Sequence, residues 1–372
     1  WQVLDDEEVF AYFELLRRIS GSRGAIRTLE VSVSDLNRLA KMAEKNYQFP
    51  ELVARAGRDV RLDKLPASQV VADFAGSDVV LQTLHQNRSD EVKAALQFVA
   101  ACHEEKKVPI LRLVDVPRAS LAQYLFPLVE KCLKAAQEAD IPVRLRLADV
   151  LGLWHPHPQV ALPRGLPRLL HHLIHDLSYP GEWIIVEPSN DSGMAASLAQ
   201  SAWLYGVDAV AATLGGRGPR AGLGAMEGLL ADMQGLRADA PKVRLALLRD
   251  LENLVTASGK VPRLPRSTPH LGEQAHAPRP SQLGEPLTSP FDATLVWGVR
   301  QGRVLGCRST RQDVATWLKS KLGAGTVVGP EHPGIVRMGE WLASTGQEQV
   351  DEVELLRQAR RFLPGFFVMS SS

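Results

Sequence analysis

Three short β-rich runs, each closed by a Gly- or Pro-marked loop and then a helical pattern, constrain this chain more than any other feature. They are Arg144–Val150 (RLRLADV), Trp183–Pro188 (WIIVEP) and Asp208–Leu214 (DAVAATL). Strand, loop and helix in repetition is the sequence form of a parallel α/β sheet, whose strands are covered on both faces and so read as near-continuous apolar runs. Polar residues gather in the loops that follow the strands: Asp149, the Glu187–Asp191 cluster, and the Gly-rich GGRGPRAG of 215–222. In folds of this kind the loops at the carboxyl ends of the strands build the site, so chemistry is expected there.

The remainder of the chain agrees with that architecture. Asp5–Ser20 reads as an amphipathic helix, and AIRTLEVSV at 25–33 as a strand. Leu36–Asn46 reads as a helix, 47–57 as a short strand region, and 62–69 as a brief Pro-broken stretch. SDVVLQTL at 77–84 is expected to be a strand, Asp90–Glu105 a helix, 108–121 a strand and loop, and Ala119–Asp140 a long outer helix. Leu245–Ser258 reads as a helix, followed by a long Pro-rich segment over 260–290 and then strand, turn and helices over 291–364.

Composition narrows the function classes. With 372 residues, 45% of them hydrophobic, the chain can hold a barrel of roughly 250 residues and a further module. A net charge of +1 implies no nucleic-acid or membrane field. Cys102, Cys132 and Cys307 are sparse, odd in number and without a C-x-x-C spacing, which suits a reducing, cytoplasmic setting. No apolar run is long enough for a membrane helix, and no signal peptide is visible.

Three stretches carry a resemblance to a known family. LADVLG at 147–152, VEPSNDSG at 186–193 and TLGGRGPRAGLGAMEGL at 213–229 resemble, in order and pattern, I-A-D-T-x-G, V-H-x-H-N-D-x-G and T-x-N-G-x-G-E-R-x-G-N-x-x-L-E. Those are landmarks of the isopropylmalate and homocitrate synthase superfamily, the DRE-TIM metallolyases, and the branch most similar is that of Re-face citrate synthase. The resemblance implies a (β/α)8 TIM-type barrel over 1–240, its first strand missing or upstream of Trp1. A helix and Pro-rich linker or lid over 241–290 and a C-terminal helical or α+β module over 291–372 would follow.

The same resemblance implies a divalent cation held by two His, an Asp of the first strand and often an Asn. Here the two His positions hold Glu187 and Ser189, and the Asn position holds Leu223. A strand that in the similar branch carries a His and a Glu holds Arg112 and Val114, while Asp115 and Arg118 are retained. A valine moves no proton and an alkyl chain binds no metal. Joint replacement of these groups points to a non-catalytic homologue, with no catalytic residue, no metal and no cofactor. Such a chain would act as a structural or regulatory subunit with a protein partner, as a homo- or hetero-oligomer. The rival reading is a divergent synthase that condenses an acyl-CoA with a 2-oxo acid through a rebuilt site.

Several remnants could still bind. Glu187, Asp149 and Asp191 form either a carboxylate cluster for a hard cation or a set of loop-amide acceptors. Arg217 and Arg220 form either an anion site or salt bridges, and Asn190 with Asp191 supports the strand end. His171 and His175 share one helical face, with His155 and His157 upstream; zinc there lacks an acidic third ligand at motif spacing. His270 and His276 lie in the Pro-rich zone without a recognisable catalytic setting.

Overall fold

The computed structural model describes residues 4–20, 24–36, 39, 51–236, 242–265, 267–272, 275, 293–297, 305–322 and 328–367. It divides into two compact units, Trp1–Arg263 and Leu264–Ser372.

The first unit is a curled, seven-stranded, all-parallel sheet in strict sequence order. Its strands are β1 (Thr28–Ser32), β2 (Glu51–Arg55), β3 (Gln69–Ala75), β4 (Val108–Val114), β5 (Arg144–Ala148), β6 (Ile184–Glu187) and β7 (Ala209–Val210). A short parallel pair, β8 (Ala212–Thr213) with β9 (Gly224–Ala225), follows. Sequential parallel neighbours require a crossover between each pair, and helices fill most of them: α1 (Asp6–Ser20) precedes β1, and then come α2 (Asp78–Thr83), α3 (Arg88–Glu104), α4 (Phe126–Ala139), α5 (Leu166–His171), α6 (Ala195–Leu204), α7 (Met226–Leu236) and α8 (Leu247–Ala257). This is a (β/α)8-type architecture.

Local sequence explains the elements. α1 opens on a reciprocal capping box, in which the Glu8 amide donates to the Asp5 carboxylate and the Asp5 amide to Glu8. Its buried face, Val9, Phe13, Leu16 and Ile19, recurs at helical spacing, and the helix packs on α8. α3 is capped by Asn87, whose side chain accepts from the Asp90 amide. The principal core lies between sheet and helices: Val70, Ala72 and Phe74 of β3, Leu111 and Leu113 of β4, and Leu145 and Leu147 of β5 all point outward into it. The alternate residues point into the barrel, where Val53, Val71 and Ile110 form a separate small cluster with Ile185 packed on it.

Two expectations in this unit are corrected. Residues 77–84 form a helix, α2, because Ser77 accepts from the Val80 amide and sets a helix start; the strand is the preceding QVVADFA. The expected long helix over 119–140 begins as a wide π-type turn, Leu121–Leu125, before α4. The expected helix over 36–46 falls almost wholly outside the described residues.

The second unit has four described helices, α9 (Ala293–Trp297), α10 (Arg311–Leu322), α11 (Pro333–Thr345) and α12 (Glu352–Phe362). Residues 293–297, expected in a strand, are helical. Its core is apolar, built on Val314, Trp317, Leu318, Ile335, Met338 and Leu342. The side chain of Asp351 caps α12 by accepting from the Val353 amide. His270 stacks on Trp297 with ring centroids 4.3 Å apart, and His276 lies outside the described residues.

Candidate functional site

Six barrel strands each aim one charged side chain inward, and the six form a closed ring of alternating sign. Arg55 of β2 reaches Glu30 of β1 at 2.7 Å and Asp73 of β3 at 2.9 Å. Arg112 of β4 continues from Asp73 at 3.2 Å to Glu187 of β6 at 2.6 Å. Arg146 of β5 contacts both Glu187 and Glu30 and so closes the circuit. Three carboxylates and three guanidinium groups leave the ring neutral.

The ring is unevenly buried. The side chains of Arg112 and Arg146 are each 13% exposed and that of Glu187 is 6%, whereas Arg55 and Asp73 are 41% and 48% exposed. Burial alone pushes the Glu187 carboxyl up, but the Arg112 hydrogen bonds and the Arg146 and Arg112 charges outweigh it and hold the group below its ordinary range. Glu30 behaves likewise between Arg146 and Arg55. Burial disfavours the charged form of Arg112, yet its bonds to Glu187 prevail and raise its affinity for the proton.

The other anticipated residues stand around this ring. The Asp149 carboxylate, 1% exposed, accepts from the amides of Leu151, Leu153 and Trp154 at 2.8–3.2 Å and so folds its own loop. Ser189 and Leu223, two of the positions expected to have lost ligands, face each other across an isolated backbone bridge. The Ser189 hydroxyl donates to Asp191. Asp191 also takes Arg220 at 2.8 Å and the Ala221 amide. Asn190 joins the Gly-rich loop through its backbone amide, which donates to the Gly222 carbonyl.

Of the two readings for the loop arginines, the structure contains the salt bridges. Arg217 pairs with Glu252 of α8 at 2.7 Å and donates to the Pro262 carbonyl, and Arg220 pairs with Asp191. The loop turns tightly enough that a side chain at Gly222 would bring its Cβ to 1.8 Å from the Gly216 oxygen. Glu227, fully buried, accepts from the Gly215 amide, and its carboxyl is raised chiefly by burial. Asp115, in the left-handed region at φ 73°, receives Ser77 and Arg118, while Val114 lines the inner wall beside them with no polar group to offer.

The histidines remain apart from the ring. The rings of His171 and His175 lie 4.7 Å apart at a tilt of 51°, and His172 pairs with Asp176 at 2.5 Å. His155 and His157 each accept a backbone amide two residues on. Among the described residues no three His, Cys, Asp or Glu side chains converge as metal ligands do. Cys102 and Cys132 are free and buried, and burial pushes the thiol of each up to about 12.

Sequence reasoning placed Glu187 and Arg112 in the site but missed Glu30, Arg55, Asp73 and Arg146. Each sits at an inward position of its strand, as Glu30 does in T-L-E-V-S and Arg146 in R-L-R-L-A. A charge repeated at the inward position of successive strands was the available signal.

Above and beside the ring lies a cavity of about 880 Å³. The divalent cation that the landmarks imply does not fit this donor set. Both Glu187 oxygens are taken by guanidinium groups whose two positive charges already offset the carboxylate, Ser189 is engaged with Asp191, and Leu223 has no donor atom.

No protein-family model matches the chain. It is 24% identical over 383 residues to a citrate (Re)-synthase of Syntrophus aciditrophicus, an alignment covering 97% of this chain and 61% of that protein. A 2-phosphinomethylmalate synthase of Streptomyces hygroscopicus is 26% identical over 332 residues, with 84% of this chain and 74% of that protein covered. The chain thus spans about three-fifths of the length of the first of these relatives. Among solved structures, an HMG-CoA lyase of Bacillus subtilis superposes with a TM-score of 0.53 at 15% identity, over 70% of this chain and 89% of the lyase. Within the described residues, no helix is long and apolar enough to cross a membrane. The landmark loops and these relatives make the chain similar in sequence to synthases of the citrate (Re)- and 2-isopropylmalate type, and its barrel has the fold of the lyase.

Proposed function

We propose that this chain is a non-catalytic member of its superfamily, a cytoplasmic barrel that serves as a structural or regulatory subunit alongside a protein partner. One observation carries the reading: Glu187, at a position where relatives of this type would bring a metal-binding imidazole, accepts hydrogen bonds on both oxygens from Arg112 and is ion-paired with Arg146. A condensing synthase needs a cation to polarise the ketone of a 2-oxo acid and a base to take the acyl-CoA methyl proton. Val114 and the paired arginines supply neither. Partner pairing is motivated by a retained frame around a site without ligands.

A second reading has its own support. The sequence relatives bear the names of synthases, and they favour a divergent enzyme that joins an acyl-CoA to a 2-oxo acid more than they favour a silent subunit. Thiol release from acetyl-CoA separates the two, measured with oxaloacetate, pyruvate or 2-oxoglutarate and Mn²⁺ or Mg²⁺. The non-catalytic reading expects no turnover above the enzyme-free rate, and no stoichiometric metal by elemental analysis. Turnover that disappears with chelator would establish the synthase instead. Purification at native abundance is expected to recover a stoichiometric protein partner; a chain that purifies alone would remove the subunit role.

A further inference from the structure

The cavity beside the ionic ring combines two surfaces of opposite character. Part of its lining is apolar: Tyr12 and Leu16 of α1 and Met226, Leu229, Leu230 and Met233 of α7. Its charged floor is the ring, in which every guanidinium already faces two carboxylates. The remaining charged side chains on the lining are spent as well: Arg27 is paired with Asp208, Arg220 with Asp191, and Asp149 with three backbone amides.

A ligand carboxylate entering this space would meet a cradle that has a tenant. Arg112 and Arg146 converge on Glu187 as a pair of arginines converges on a bound carboxylate, in part with bidentate geometry. To bind there, an anion must expel Glu187 and strand it in a site where its side chain is 6% exposed. An uncharged apolar molecule has no such competitor, and burial against the α1 and α7 side chains rewards it directly.

We infer that the cavity is a binding site for an uncharged, apolar small molecule, and that Glu187 is the built-in carboxylate that denies it to anions. The inference rests on the non-catalytic reading, since a working synthase would have to admit anionic substrates at this place.

The test uses the whole chain, with 1-octanol as the neutral probe and malonate as the anionic one. Binding is read by calorimetry and by tryptophan fluorescence, for which Trp203 on the cavity lining is a reporter. Octanol is expected to bind saturably at one site, and Leu230→Glu or Met233→Glu to weaken it by about tenfold or more. The wild-type chain is expected to show no saturable malonate binding. Glu187→Ala, which empties the cradle, is expected to gain malonate binding by about tenfold or more. Should that variant not fold, Glu187→Gln keeps the volume, and its gain for malonate must still be measurable.

Octanol binding that is absent, or indifferent to both wall variants, overturns the proposal. So does malonate binding to the wild-type chain as tightly as to the Glu187 variants. Thiol release is scored on its own: turnover would sink the non-catalytic reading, whereas failed octanol binding without turnover would sink this inference alone.

Discussion

Two layers of the same barrel interior solve the filling problem differently. The lower layer, Val53, Val71 and Ile110 with Ile185 packed on them, is held by volume and burial, and each side chain contributes nearly independently. The layer above it is the ring of Glu30, Arg55, Asp73, Arg112, Glu187 and Arg146, which is held by charge alternation. Ions taken out of water are tolerable only when every partner is present, so the buried side of that layer, Arg112, Glu187 and Arg146, stands or falls as a set. The comparison teaches why a barrel that resembles the synthases, with Glu187 where the resemblance implies an imidazole, holds its fold. A carboxylate between two arginines is a complete structural unit, though a poor metal site.

The largest test of the difference is Glu187→Gln. Removing one member of a buried pair leaves Arg112 and Arg146 without their shared anion, and urea unfolding should register a loss of about 3–5 kcal/mol. The loss should depend on pH with a definite sign. The folded-state carboxyl sits below its unfolded value of about 4.3, so its contribution is fully present above that value. It disappears as the pH falls through the lower folded-state value. Wild type and variant should therefore differ by a constant amount from pH 6 to 8 and converge in acid. A gap that does not narrow as the pH falls below 4 would mean that the Glu187→Gln change destabilises through shape and not through charge.

Next in size is the coupling within the ring. Arg112→Ala and Glu187→Ala share one interaction, and their double variant should be less damaging than the sum of the singles by about 0.5–3 kcal/mol. Strict additivity would mean that the two groups act separately, and the set-like behaviour argued above would fail. In the apolar layer the corresponding test is smaller: Ile110→Val should cost about 0.5–1.5 kcal/mol, and the cost should not change in a Glu187→Gln background beyond measurement error.

Much of the architecture was legible because period carries it. The run R-L-R-L-A of β5 and I-I-V-E of β6 could be read as strands before any coordinates, and α1 announced itself through Asp5, Glu8 and the Val9–Phe13–Leu16 spacing. Two local errors have local causes. VVLQTL after Ser77 is β-branched enough to suggest a strand, but the serine cap and Asp78 at the first turn decide for helix. The true strand, QVVADFA, was obscured by Pro66 and the polar residues before it. At the site, the replaced positions Glu187, Ser189 and Leu223 were visible because landmark motifs mark them. The ring was not, because its partners lie far apart in sequence, Arg146 and Glu30 being 116 residues apart, and only the register of six strands brings them level. Arg217 shows the same limit, since its partner Glu252 comes from a helix that no motif near the loop announces.

The smallest effect belongs to the open side of the ring, and it sharpens the comparison from within. Arg55 contacts Glu30 and Asp73 as Arg112 contacts Asp73 and Glu187, with similar distances. The difference is water: the Arg55 side chain is 41% exposed against 13% for Arg112. Solvent screens the charges on that side and rehydrates whichever carboxylate is left behind, so Arg55→Ala should cost no more than about 1 kcal/mol. Added salt should shrink even that, since exposed pairs are screened within a Debye length while buried ones are not. Thermal unfolding of Arg55→Ala and Glu187→Gln side by side, at low and high NaCl, reads both effects. If Arg55→Ala proved as costly as Glu187→Gln, burial would not be what sets the ring's energetics. The circuit would then have to act as one unit on its exposed side as well.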